Sequence, residues 1–437
     1  MTGSLDRLIA QAAAHDISIH SIEVSQGGTL VYSAGAAGMG PHTPHRQYSI
    51  SKSFTAIAIL SLAHEGKLAT NDLLMDHFPE KRPVHPLLEL ATLDDLLSMR
   101  SPYTGTTYTE QAPEWLESFF RTEPSHRPGT LFHYDTSASY VLAALVERIE
   151  GKPWEQVLRE RVFAPLGVGD DMRMITSPEG IAHGGSGMVA RPHDLLVIGE
   201  MLLGGGEHGG VRVLPREVVD ELVRRRADTG TMSWGSTHRF GYAAQTWLPA
   251  RGGWMMVGLG GQYVYGDPER GLVAVMSANA QGCNAGDNRL SSLLLEALDE
   301  PLGDAPALIP WPAPFHDASF AREVRGSVRA VSGSGLRSRI ALELAPGRVA
   351  IDATEFAFEA TAREEQPTDV PGVGRGIVTG GWSEPGIFDA RVDVIGDDIA
   401  RQRVRIVVTD DGLVTIGAEG LGPGAPAGWT GRGTYQM

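Results

Sequence analysis

The sequence predicts a layered α/β region followed by an all-β region. Three observations carry that prediction. Helical and strand periodicities alternate over roughly the first two thirds of the chain, a Pro-rich interval (PLGDAPALIPWPAPFHD, Pro301 to Asp317) then interrupts them, and beyond it the pattern is strand-like almost throughout. At 437 residues the chain exceeds one ordinary core. Domains are expected at 1–305 and 318–437, with 306–317 as linker.

Taken in order, SIEVSQGGTLVYSAG (Ser21 to Gly35) reads as a hairpin turning at Gly27 and Gly28. SFTAIAILSLAHEG (Ser53 to Gly66) is a helix apolar nearly all round, the mark of a buried central helix, and Gly66 stops it. TLDDLLSMR opens another helix, with Thr92 as its cap and Asp94 and Asp95 placed favourably in the first turn. ASYVLAALVERIEG and ARPHDLLVIGEMLLGGG give two more helices. GQYVYGDPERGLVAVMSAN reads as two adjacent strands with a turn around Asp267, Pro268 and Gly271. Strands at both ends of a region with helices between them make the α/β layers. In the tail, RSRIALELAPGRVAIDA, FDARVDVIG and RQRVRIVVTDDGLVTIGAEG alternate as strands separated by APG and DDG turns, which predicts a small barrel or sandwich.

Composition narrows the function. A hydrophobic fraction of 42% with 21% charged residues fits a soluble globular protein. The net charge of -16 is spread along the chain, which argues against nucleic acid as a partner. The N-terminal stretch MTGSLDRLIAQAAAHDISIHSIEV lacks a basic start and an uninterrupted apolar run, and no segment reaches the roughly 18 apolar residues of a membrane helix. A cytoplasmic protein without membrane partners is expected. Cys283 is the only cysteine, so internal disulfides and CxxC metal sites are excluded, and no metal or cofactor is expected. His15, His20, His42 and His45 lack partners at metal spacing and are expected at the surface or in the hairpin.

The chemistry concentrates in YSISKSF. Ser49 and Lys52 stand three apart, so a helix starting there projects them side by side from its first turn. First-turn amides favour negative charge near the serine. Burial would lower the pKa of the ammonium, and a lysine so tuned can make the adjoining hydroxyl a nucleophile. Only four lysines (Lys52, Lys67, Lys81, Lys152) stand against 33 arginines. Arginine cannot give up a proton, so a chain this sparing with lysine has reason to keep one for chemistry. Taken alone, the pair also fits a solvated helix N-terminus. Tyr134, on a loop after Pro128 and Gly129 and just before a helix, could relay a proton if it came close to Lys52; alone, it also fits a packed aromatic.

With these motifs in order the chain resembles the serine beta-lactamase-related hydrolases, a family that includes class C beta-lactamases, DD-peptidases, D-aminopeptidases and esterases. The resemblance runs from about residue 15 to 300: SISK at Ser49 to Lys52, KLATNDLLMDHFPE, TLDDLLSMRSPYTG, PGTLFHYDT, YVLAALVERIEGKPWEQVLRERVFAPLGV, GGSGMVARPHDLLVIGEMLLGGGEHGGVRVLP and GLGGQYVYGDPERGLVAVMSAN. It implies a beta-lactamase/transpeptidase-like fold, an antiparallel sheet flanked by helices, with a C-terminal β region expected to resemble the lipocalin-like domain of some related hydrolases. It also implies roles. Ser49 would be the acylated nucleophile, Lys52 its proton acceptor or electrostatic partner, and Tyr134 the second base. The backbone amides of Ser49 and Leu259 would form the oxyanion hole, each worth about 3 to 4 kcal/mol.

Two departures qualify the substrate. Thr136 replaces the family's Asn, leaving a hydroxyl where an amide would brace the lysine and the substrate. The KTG or HTG triad aligns with Met256, Val257 and Gly258, counted back from Gly260 to Gln262, so Thr136, Met256, Gly258 and Gly260 are the expected substrate contacts. Losing a charge-assisted hydrogen bond of about 1.5 to 3 kcal/mol removes one to two powers of ten of affinity for penicillins or D-Ala-D-Ala peptides. Esters and uncharged amides therefore rank ahead of beta-lactams. HGG at His183 to Gly185 is read as a loop preceding a helix rather than as the third motif. The expected function is acyl transfer through Ser49 on small or peptide-like esters or amides. The alternatives are a beta-lactamase, a D-stereospecific peptidase, a penicillin-binding-protein-type thioesterase, and a catalytically inactive binding protein. The β region is expected to shape substrate access or to mediate homo-oligomerisation, or else to bind a ligand itself.

Overall fold

The computed structural model describes residues 3–109, 111–230, 234–352, 358–360, 366–370 and 373–436. Its first sheet has five strands in the order Thr29–Gly35, Ser18–Gln26, Leu272–Asn279, Gln262–Asp267, Trp254–Gly258. All neighbours are antiparallel, and Ser18 pairs with Asn279 while Gln26 pairs with Leu272, so the two ends of the region meet in the middle of one sheet. The Gly27 and Gly28 turn lies where the sequence predicts it, both residues having positive φ.

Alternation along the strands sorts side chains into two layers. Leu272, Ala274 and Met276 pack with Leu5, Leu8, Leu290 and Leu294 of helices Ser4–Ala14 and Gly286–Ala297. Val273 and Val275, one residue out of phase, pack with Leu195 and Ile198 of helix Pro192–Leu203 and with the apolar residues of helix Ile50–His64. Every residue from Ile50 to Leu62 is buried, which is why that helix has no polar face. Thr92 caps helix Leu93–Leu97 as predicted, and Asp95 completes a reciprocal capping box instead of serving only as a first-turn charge. Among the described residues no helix is long and apolar enough to cross a membrane.

The second sheet has ten strands among the described residues, in the order Phe358–Ala360, Arg348–Asp352, Arg339–Ala345, Val324–Ser334, Gly431–Gln436, Leu413–Leu421, Arg401–Val408, Ile387–Val394, Gly374–Glu384, Thr368–Val370. Ala353, the last residue of the predicted RVAIDA strand, lies outside the described residues. Every neighbouring pair is antiparallel. Among the described residues no hydrogen-bonded ladder joins the two terminal strands, and the sheet is curled and open there. Its inner face is filled by Val328, Leu342, Trp382, Ile406, Ile416 and Tyr435. The cavity of about 10 Å³ beside Ile340, Ile351 and Tyr435 is too small for an organic ligand.

The Pro-rich interval is packed along the first sheet. Ile309 N donates to Gly35 O at 3.0 Å and Trp311 Nε1 to Ala37 O at 3.2 Å, while Asp317 N donates to Trp382 O of the second sheet at 3.0 Å. A buried charge cluster locks the sheets together. Asp393 accepts from Ser18 Oγ at 2.9 Å, from Arg391 Nε at 2.7 Å and from Arg401 Nε at 2.8 Å, and Arg401 reaches Asn279 O at 3.2 Å. Two histidines depart from expectation. His20 and His45 are buried, because His20 lies on strand Ser18–Gln26, where every residue but Gln26 is buried, and His45 on the buried two-residue strand His45–Arg46; burial holds both below the ordinary imidazole pKa. His15 and His42 are exposed.

Candidate active site

Ser49 immediately precedes helix Ile50–His64. Tyr48 before it adopts a φ of 47°, a left-handed conformation that costs a bulky residue about 1 to 3 kcal/mol. The turn is tied down nonetheless. Ser51 Oγ donates to Tyr48 O at 2.6 Å and accepts from Met188 N at 3.0 Å.

One helical turn on, Lys52 is fully buried. Its Nζ lies 3.1 Å from Ser49 Oγ, 3.1 Å from Thr136 Oγ1 and 2.6 Å from Gly185 O. All three partners are neutral. Burial lowers its pKa to about 7, against the pull of the nearby Asp135 carboxylate, which raises it. A neutral amine has two N–H bonds and one lone pair. With Thr136 and Gly185 accepting the two N–H groups, the lone pair is left for the Ser49 hydroxyl proton.

Tyr134 completes the group. It lines the same cleft as Ser49, and Lys52 Nζ lies 4.9 Å from its ring centroid. Burial raises the Tyr134 pKa above its ordinary value, with the nearby Ser49 hydroxyl only partly offsetting, so the phenolate is disfavoured. Asp135 caps helix Thr136–Glu150 through Ser137 N at 2.8 Å and accepts from Ser101 Oγ at 2.9 Å. Burial lifts its pKa to about 6, with hydrogen bonds from Ser137 and Ser101 opposing.

The HGG stretch stands behind the lysine. A Cβ on Gly184 would fall 2.4 Å from Ala143 Cβ, and one on Gly185 2.7 Å from Thr136 Cγ2, so only glycines let this loop bring a carbonyl to Lys52. His183 faces away from it, with Nε2 2.9 Å from Tyr108 Oη and its ring edge-on to Trp115. Strand Met188–Ala190 follows this loop before the helix begins.

A cleft of about 420 Å³ opens over Ser49, walled by Tyr134, Trp234, Trp247, Val257 and Leu259. Trp247 stacks on Tyr134 with centroids 5.5 Å apart, and Trp234 meets it edge-on at 4.9 Å. Gly258 and Leu259 of the expected contacts line the cleft; Met256, Gly260 and Thr136 do not. Met256 is a correction in orientation: strand alternation turns its side chain into the core behind the sheet and gives the cleft Val257 instead. Thr136 holds Lys52 from the side. A Cβ on Gly258 would fall 2.3 Å from Gln47 O, which sets the end of that strand against the chain two residues ahead of Ser49.

No arginine or lysine lines the cleft among the described residues. Sequence reasoning missed Asp135, Trp234 and Trp247; it named Val257 only as part of the aligned triad and Gly185 only as part of a loop beside the cleft, without the contacts found here. Asp135 carried a signal as a cap residue before a helix, and Gly185 as part of a Gly-Gly pair; the tryptophans carried none. A larger cavity of about 780 Å³ at the junction with the second sheet shares no residue with this cleft, and its Arg391 and Arg403 pair with Asp16 and its Arg405 with Asp389.

A family model described as Beta-lactamase matches residues 5–299. The 6-aminohexanoate-dimer hydrolase of Paenarthrobacter ureafaciens is 24% identical over 281 residues, covering 58% of this chain and 70% of that protein. An uncharacterized protein of Mycobacterium tuberculosis (strain CDC 1551 / Oshkosh) is 26% identical over 254 residues, 45% of this chain, and the match spans 63% of that relative's length. Among solved structures, the octameric penicillin-binding protein homologue from Pyrococcus abyssi superposes with a TM-score of 0.54 at 17% identity, covering 98% of this chain and 99% of that one.

Proposed function

The chain belongs to the beta-lactamase family, and from that premise we propose that it is a serine hydrolase working through an ester on Ser49. The observation that carries this reading is Lys52 Nζ, buried among neutral acceptors 3.1 Å from Ser49 Oγ. Ser49 Oγ attacks the substrate carbonyl carbon while Lys52 takes the hydroxyl proton. Lys52 is preferred to Tyr134 as acceptor because burial pushes the amine toward its neutral form and the phenol away from its ionised one. The tetrahedral oxyanion is held by the amides of Ser49 and Leu259. Tyr134, in the same cleft as Ser49 and beside Lys52, passes the proton from Lys52 to the leaving group as the carbonyl re-forms. Water then attacks the acyl ester with Lys52 as base, releasing acid and restoring Ser49.

The substrate is a small ester or uncharged amide with an apolar acyl group. Trp234 and Leu259, each 41% exposed, present apolar surface to the cleft, whereas among the described residues no arginine or lysine lines it to hold a carboxylate. We also hold residues 318–437 to be a separate β domain, and self-association to be the reading that light scattering should test, on the likeness over nearly the whole chain to an octameric homologue. The activity is tested with p-nitrophenyl butyrate, a D-amino acid amide and nitrocefin in parallel, together with intact-protein mass after a fluorophosphonate. Ester turnover exceeding nitrocefin turnover, with one adduct on Ser49, is expected. A protein that gains no adduct is an inert scaffold.

A further inference from the structure

The segment 395–400, which joins strands Ile387–Val394 and Arg401–Val408 of the second sheet, reaches across to the chain that carries Ser49. Tyr48 Oη donates to Asp398 Oδ1 at 3.0 Å and accepts from Ile399 N at 2.9 Å. Arg46 Nη1 donates to the same Asp398 oxygen at 2.9 Å, Arg46 N donates to Asp397 O at 2.9 Å, and the Arg46 guanidinium lies 4.9 Å from the Tyr48 ring centroid. Ile399 is buried, and a Cβ on Gly260 would fall 2.1 Å from Ile399 Cδ1, so that side chain is seated against the turn after Leu259. One short segment thus touches both pieces of backbone that carry the oxyanion amides. Its base is rigid, because Asp393, Arg391 and Arg401 on the two flanking strands are bonded to Ser18 and Asn279 of the first sheet.

We propose that Asp398 and Ile399 are positioning residues for the active site: they hold Tyr48 in its left-handed conformation, and thereby Ser49, in register with Lys52 and with the Leu259 turn. The proposal rests on the hydrolase reading above. Ser51 holds the carbonyl side of Tyr48, but a positive φ remains costly for a bulky residue, and among the described residues the donor and the acceptor that its hydroxyl meets both lie in this segment. Released, the residue relaxes toward ordinary backbone geometry and carries the nucleophile with it. Displacements near 1 Å at a reacting atom cost on the order of a hundredfold in rate.

The test uses the full chain with Asp398→Ala, Asp398→Asn and Tyr48→Phe, reading kcat and KM on p-nitrophenyl butyrate, the rate of Ser49 modification by a fluorophosphonate, and the melting temperature. Asp398→Ala should lower kcat and the modification rate about 10- to 100-fold with KM nearly unchanged. Asp398→Asn keeps an oxygen facing Tyr48 and Arg46 and should stay within about threefold of wild type. Tyr48→Phe removes one oxygen and keeps the ring, so it should fold and reproduce the Asp398→Ala defect; the double variant should be no slower than the slower single one. Wild-type kcat in Tyr48→Phe or Asp398→Ala, or a loss confined to KM, overturns the positioning role while the hydrolase reading stands. A wild-type protein unreactive at Ser49 overturns that reading and this inference with it.

Discussion

Lys52 and Arg401 are both cations taken wholly out of water, and they differ in what they touch. Lys52 meets three neutral oxygens, whereas Arg401 meets the carboxylates of Asp393 and Asp16. The consequences are opposite. Without a counter-ion in contact, the amine falls to a pKa of about 7 and can exchange a proton. In the other cluster burial would raise the Asp393 carboxyl, but Arg391 and Arg401 overcome it and hold the group well below the usual carboxylate range. Burial by itself therefore does not mark a reactive charge. The partner decides whether a buried ion serves chemistry or joins two sheets.

The comparison breaks first at the nucleophile. Ser49→Ala should reduce ester hydrolysis by about 10⁴-fold or more and abolish the adduct. Lys52→Ala should cost about 10² to 10⁴ in kcat, and Lys52→Arg should not restore it, since a guanidinium keeps the charge without accepting a proton. In the paired cluster the loss should appear in stability instead. Asp393→Ala leaves two buried guanidiniums with only the partly exposed Asp16 carboxylate between them and should cost about 3 to 5 kcal/mol in urea unfolding, whereas replacing Asp393, Arg391 and Arg401 together by Leu and Met should recover most of it. The sign with pH is fixed by the depressed Asp393 pKa: its contribution is complete above the ordinary carboxylate value of about 3.9 and is lost as pH falls below it. The smallest effect belongs to Thr136→Val, which removes one acceptor from Lys52 and should slow turnover about 2- to 10-fold in steady-state kinetics.

Much of this was legible in the sequence because it is local. The hairpin at Gly27 and Gly28, the apolar helix after Ser49 and the capped helix after Thr92 are each written within a few consecutive residues. The offset of Ser49 and Lys52 needs only helical periodicity, so their adjacency followed too. Strand direction did not follow at Met256: the aligned position was named, but alternation along the strand decides that Val257 faces the cleft. Nor did contacts between distant parts of the chain. Gly185 closing on Lys52 and Asp398 closing on Tyr48 bridge 133 and 350 residues, and no periodicity records which loop folds back to meet which turn. His20 and His45 were misplaced for the same reason, their burial coming from layers that assemble around them.

The central claim is that the Lys52 amine, desolvated beside Ser49, is the group that accepts the nucleophile's proton. It is tested most directly by the rate of Ser49 modification by a fluorophosphonate from pH 5 to 9, in wild type and in Lys52→Arg. The neutral amine is the active form, so the wild-type rate should rise about tenfold per unit at low pH and level off with a midpoint near the Lys52 value of about 7, and that transition should vanish in the variant. A wild-type rate that is flat across this range, or a midpoint unchanged in Lys52→Arg, would contradict the account.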